Sequence, residues 1–132
     1  MLFFAKFSFA MDVDPRYTVN RGLVILLPKQ PVLDWIMRVD PEPPDMTLAE
    51  LRQEPDSFLI SQRSVQSVRD AERWVHRRWK LFFEQFLYDW YTDESWWPKA
   101  RSLKMFREWF DVQYSSMVWD LADELLEHDD WD

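Results

Sequence analysis

Nine Trp, ten Phe and four Tyr in a chain of 132 residues constrain the fold more than any other feature. A buried aromatic side chain removes on the order of 150–250 Å² from water, so a few of these rings suffice to anchor one small core. The others exceed what such an interior needs, and the sequence predicts aromatic surface left exposed or given to an interface. Apolar residues make up 47% of the chain, the composition of a folded domain despite a net charge of −8.

That charge argues against a duplex nucleic-acid binder, whose affinity comes from cations neutralising phosphates, and against a polybasic membrane-surface protein. No stretch approaches the roughly 20 apolar residues of a membrane span. There is no cysteine, so disulfides, thiolate catalysis and zinc–thiolate sites are excluded, and the expected compartment is a reducing cytoplasm. With one glycine in the chain, Gly22, neither a glycine-rich phosphate loop nor a dinucleotide fingerprint can form. No GxSxG or HExxH motif is present. No cofactor, metal or catalytic residue is expected.

Read along the chain, residues 1–10 (MLFFAKFSFA) lack the charged start and unbroken apolar run of a signal peptide, because Lys6 splits the run. Phe3, Ala5, Phe7 and Phe9 alternate as in a strand. A true start at Met11, with the preceding residues an extension, is the other reading. Leu23–Leu27 is a short apolar run expected to form a strand buried on both faces. Gly22 before it suits a bulge or a turn with positive φ. Pro31 opens a helix to Val39 with Val32, Trp35, Ile36 and Val39 on one face. The run from Pro41 to Asp45 breaks it. Thr47 and Glu50 form a capping box for a short helix from Leu48 to about Glu54, and Ser57–Ser61 is a second strand.

The longest element is a helix from about Val65 to Tyr91, with Val68, Ala71, Val75, Trp79, Phe82, Phe86 and Trp90 at steps of three and four. A kink or break inside so long a segment is compatible with the pattern. Thr92–Lys99 is a loop, and Ser102 caps a helix over Leu103–Phe110. Alternation from Val112 to Asp120 predicts a third strand. Residues 122–132 form an acidic, partly frayed tail, and Leu121 just before it can add a helical turn with Leu125. The order predicts one α+β domain over residues 1–132. It is a small, mainly antiparallel sheet of three or four strands, with helices, including one long helix, packed on one face.

The runs NRGLVILLPKQPVLDW (20–35) and WYTDESWWPKARSLKMFREWFDVQYSSMVWDL (90–121) resemble a family of small bacterial proteins known only as hypothetical. The runs cover under half of the chain, and residues before Met11 lie outside them. The resemblance implies a bacterial cytoplasmic setting and carries no activity, substrate or site residues.

Three groups of residues suggest chemistry. Arg69, Arg73, Arg77 and Lys80, with His76 among them and Trp74 beside them, share a helix face and form a candidate anion-binding stripe. The plainer reading is a solvated face whose cations pair with acids such as Glu72 and Glu84 or with a neighbouring acidic subunit. Acids gather at Asp40, Glu42 and Asp45, at Asp89, Asp93 and Glu94, and in the tail, without the spacing of a calcium loop. His76 and His128 are the available imidazoles. Among the aromatics, Trp96, Trp97 and Tyr91 are the candidate partner-binding residues, because adjacent loop tryptophans do not easily both turn inward. The leading expectation is a non-enzymatic protein-interaction module that engages a protein partner or self-associates through exposed aromatic surface. The alternatives are a small hydrolase with acids converging from separate segments, and an acidic nucleic-acid mimic.

Overall fold

The computed structural model describes residues 17–129. The strand or extension expected at residues 1–10, and the end of the acidic tail, lie outside the described residues. The elements in order are β1 (Tyr17–Thr18), β2 (Arg21–Pro28), α1 (Gln30–Val39), α2 (Leu48–Leu51), β3 (Asp56–Ser61), α3 (Val68–Arg77) and α4 (Trp79–Trp90). A single 3-10 turn (Glu94–Trp96), α5 (Leu103–Trp109), β4 (Phe110–Ser115) and β5 (Trp119–Asp120) complete them. β2 is the central strand of an antiparallel sheet ordered β3-β2-β4, and β1 pairs with β5 in a separate two-stranded ribbon. The fold is α+β, with the helices gathered on one side of the sheet.

Strand parity decides which side. Val24, Leu26, Ile60 and Phe110 point toward the helices and are buried with Val32, Trp35 and Ile36 of α1, Ala71 and Val75 of α3, and Phe82, Phe83, Phe86 and Leu87 of α4. On the other side Leu27 is buried and Leu23 and Ile25 are half-buried, while Ser57, Leu59, Gln113 and Ser115 are exposed. The expectation that Leu23–Leu27 is buried on both faces therefore holds on that side at Leu27 alone: one face is sealed and the other partly covered.

Gly22 sits in regular register opposite Ile60 and does not have the positive φ expected of it. A Cβ there would lie 2.7 Å from Cε1 of Tyr114, so what the position requires is room for the Tyr114 ring. That ring is pinned from its far end, where the Tyr114 hydroxyl donates to the Val65 carbonyl at 3.0 Å.

Local signals set the helix boundaries. Thr47 and Glu50 make the capping box, with Glu50 N–H donating to Thr47 Oγ1 and Thr47 N–H to Glu50 Oε1, both at 3.2 Å. α2 ends at Leu51, short of the expected Glu54, since Pro55 disfavours helical geometry at the residue before it. Ser67 and Ser102 cap α3 and α5 by accepting from the N–H groups of Asp70 and Met105.

The long helix is cut at Arg78, whose backbone (φ −113°, ψ 21°) leaves the helical region. Its N–H turns back to the Val75 carbonyl at 2.9 Å, tightening the last turn of α3. The Trp74 carbonyl, released from its helical donor, accepts from the Arg78 guanidinium at 3.0 Å. The same guanidinium lies 3.9 Å from the centre of the Trp74 ring.

The alternation from Val112 to Asp120 is not one strand. β4 ends at Ser115, the Gln62 amide donates to the Ser116 carbonyl, and the chain turns before β5 joins β1. Alternation reports which way side chains face and is silent on which backbone is the partner. No helix forms at Leu121–Leu125, and residues 121–129 are exposed.

The interior takes far more rings than the composition suggests. Among the described aromatics whose side chains are placed, Tyr88 and Trp119 are exposed, and the others are buried or half-buried. They fit because they pack edge-to-face: Phe83 meets Phe106, Trp109 and Phe110 with ring centres 5.2–5.8 Å apart.

Candidate aromatic and acidic groove

The richest meeting of polar and aromatic groups lies where α4 ends. Trp90 is the last helical residue, and Tyr91 turns extended with its N–H still donating to the Leu87 carbonyl at 2.8 Å. Asp93 then caps the 3-10 turn, accepting from the Ser95 N–H at 2.9 Å and from the Ser95 hydroxyl at 2.7 Å. Those two donors hold the Asp93 carboxyl below the usual carboxylate range. Trp35 Nε1 donates to the Trp96 carbonyl at 2.9 Å and Trp97 Nε1 to the Tyr91 carbonyl at 2.7 Å, so both ends of the loop are fastened to the core. The Tyr91 hydroxyl donates to Asp40 at 2.8 Å, and burial together with that carboxylate pushes the Tyr91 pKa up to about 12. Tyr91 therefore remains a proton donor at neutral pH.

These bonds set the rings around an opening. Tyr91 lies 4.9 Å from Trp96 and 6.3 Å from Trp90, centre to centre, and the three rings with Tyr88, Asp89 and Asp93 wall a shallow groove of about 260 Å³. Asp89 and Trp90 also wall a smaller cleft of about 80 Å³ that reaches Glu54 and Asp56. Asp89 and Trp90 thus line both openings. Carboxylates line the pair from two separate stretches of chain. Asp56 has the parity of Phe58 and Ile60, so its carboxyl starts β3 on the helix side of the sheet. Burial first, and then the Asp89 charge, raise its pKa above the usual 3.8. None of Glu54, Asp56, Asp89 and Asp93 forms an ion pair with a described cation.

Of the three candidate partner-binding residues, Tyr91 and Trp96 wall the groove. Trp97 is 7% exposed and packs within the core, with Arg101 5.6 Å from its ring centre. One of the adjacent tryptophans turns in while the other stays half-exposed. Sequence reasoning passed over Glu54 and Asp56, although the alternation Asp56, Phe58, Ile60 carries the signal that Asp56 faces the helices.

The basic stripe lies elsewhere. Arg69, Arg73 and Arg77 are exposed on α3, and Lys80 lies past the break at Arg78, on α4. None of the four forms an ion pair with a described residue; Glu84 instead pairs with Arg101 at 3.6 Å. The cation that stacks on Trp74 is Arg78, which sequence reasoning left out. His76 is half-buried, edge-on to Phe106 at 6.2 Å, in a separate cleft with Glu72, Arg107 and Asp111. Burial and Arg107 lower its pKa below 6.5, and Glu72 partly opposes them. His128 lies with Leu59, Val118 and Leu126 in an apolar groove beside the β1–β5 ribbon. Among the described residues, no group of three or more His, Asp or Glu side chains is placed to hold a metal ion, and no helix is long and apolar enough to cross a membrane. Comparison with known proteins matches no family model, no curated protein and no solved structure.

Proposed function

We propose that the chain is a non-enzymatic protein-interaction module whose groove at the end of α4 receives a basic side chain of a protein partner. One observation carries the reading: aromatic rings and carboxylates without ion-pair partners wall the same opening. A guanidinium or ammonium group over an aromatic face gains roughly 0.5–2 kcal/mol, more as water is excluded, and a flanking carboxylate adds a charge-assisted hydrogen bond. The fold itself uses this contact, with Arg78 on Trp74 and Arg101 near Trp97. Trp90 and Trp96 carry no such cation from a described residue.

The test is a titration of the full chain with a short arginine-containing peptide, followed by tryptophan fluorescence. The expected result is a saturable change that Trp96→Ala loses and that weakens at least several-fold in Asp89→Asn. A glycine–serine peptide of equal length should give nothing. An arginine peptide that causes no saturable change, or one indifferent to both substitutions, would overturn the reading.

A second reading, a hydrolase with paired acids, draws on Asp56, whose pKa is raised beside Asp89, the pattern of a general acid next to a carboxylate. The cleft they share is about 80 Å³. Small-molecule pockets usually measure about 300–1,000 Å³. That size suits one inserted side chain better than a substrate with two groups to separate.

A further inference from the structure

We infer that the basic side chain the groove takes comes from the row Arg69, Arg73 and Arg77 on α3 of a second copy of this chain; the inference rests on the groove binding a cation at all. Ala71 and Val75 bury the inner side of α3, which leaves these three arginines on its outer side. Four-residue steps set them about 6 Å apart along the axis, a row about 12 Å long. Like charges four apart on a helix repel, and no described carboxylate comes within ion-pair distance of the three, although Lys29, Arg52 and Arg101 elsewhere in the molecule all find one. The acids show the opposite surplus: Glu54, Asp56 and Asp89 line the small cleft, and Asp89 lines the adjoining groove as well. Each surface lacks what the other supplies.

Within one molecule they do not meet: none of the three arginines lines either opening, and the 12 residues of α4 from Trp79 to Trp90 lie between the end of α3 and the groove, a span of about 18 Å at 1.5 Å per residue. The contact is consequently between molecules and joins two different surfaces, so each copy retains one free groove and one free stripe. Such an assembly grows head to tail unless it closes into a ring. Being built on exposed charge, it weakens as salt shortens the Debye length from about 30 Å at 0.01 M to about 3 Å at 1 M.

Light scattering coupled to size-exclusion chromatography tests this with two sets of neutral substitutions. One removes the stripe (R69Q, R73Q and R77Q together) and the other the groove charges (E54Q, D56N and D89N together). At low salt and up to about 1 mM protein, the unaltered chain should exceed the monomer mass and return to it in high salt. Each variant alone should be monomeric. An equimolar mixture should give a dimer and nothing larger, because the groove of one variant meets the stripe of the other and both remaining surfaces are blank. Circular dichroism and melting of each variant establish that it is folded. A wild-type chain monomeric throughout, or an oligomer that persists in both variants, overturns the inference. If the chain stays monomeric while an arginine peptide still gives the Trp96-dependent signal, the groove reading stands and only the second copy as its partner falls.

Discussion

α3 and α4 come from one uninterrupted run of helix-forming sequence, yet they do opposite work. α3 touches the core through Ala71 and Val75 and turns a row of arginines outward. α4 buries Phe82, Phe83, Phe86 and Leu87, and delivers Trp90 to an acidic groove. Small inner residues let α3 lie close against the sheet, whereas the rings of α4 fill the volume between sheet, α1 and α5. One helical period can therefore serve two roles, provided the backbone is released between them, and Arg78 provides the release.

The largest expected effect sets the two helices apart by energy. Phe83 is fully buried against three rings, and Phe83→Ala should cost about 3–5 kcal/mol in urea unfolding. Arg73→Ala, on the exposed side of α3, should remain within about 0.5 kcal/mol of the parent when measured as dilute monomer. A comparable loss at Arg73 would mean that α3 has an intramolecular partner and would dissolve the contrast.

A smaller effect probes the junction. Arg78→Ala removes both the stack on Trp74 and the guanidinium bond to the Trp74 carbonyl, and should cost about 1–2 kcal/mol. Arg78→Lys should recover only part of that, since an ammonium group cannot cover the ring and reach the carbonyl with a flat fork. Full recovery by lysine would show that charge alone holds the junction.

The helical stripe, the capping box, the Ser102 cap and the strand at Leu23–Leu27 were legible because each depends on neighbours within a few residues. The break at Arg78 was not located, because the bond from the Arg78 guanidinium to the Trp74 carbonyl that accompanies it leaves no mark in the spacing of apolar residues. The end of β4 was illegible for a related reason: Ser115 and Trp119 keep one alternation while their backbones pair with different strands. At the candidate site Tyr91 and Trp96 were visible as aromatics that periodicity did not place. Asp56 was hidden because its approach to Asp89 brings together two segments that are remote in sequence. The aromatic surplus was overestimated, since composition gives the area of the rings but not how tightly edge-to-face packing stacks them.

The smallest effect comes from Asp56 and has two signs. Its folded pKa lies above 3.8, so between that value and the raised one the native state holds more protons than the unfolded chain. Stability contributed by this group should then fall as pH rises through the window, and Asp56→Asn should melt slightly higher than the parent at neutral pH. The gain should be modest and shrink with salt, for the carboxyl is only half-buried and solvent screens it. Affinity for an arginine peptide should move the other way, weakening as pH drops through the same window and Asp56 loses its charge. Asp56→Asn should flatten that part of the binding profile. Opposed trends in stability and affinity, both abolished by one amide, distinguish a carboxylate held for a cationic partner from one that merely starts a strand; a binding profile indifferent to Asp56→Asn would remove Asp56 from the groove's role and leave Asp89 and Asp93 to carry it.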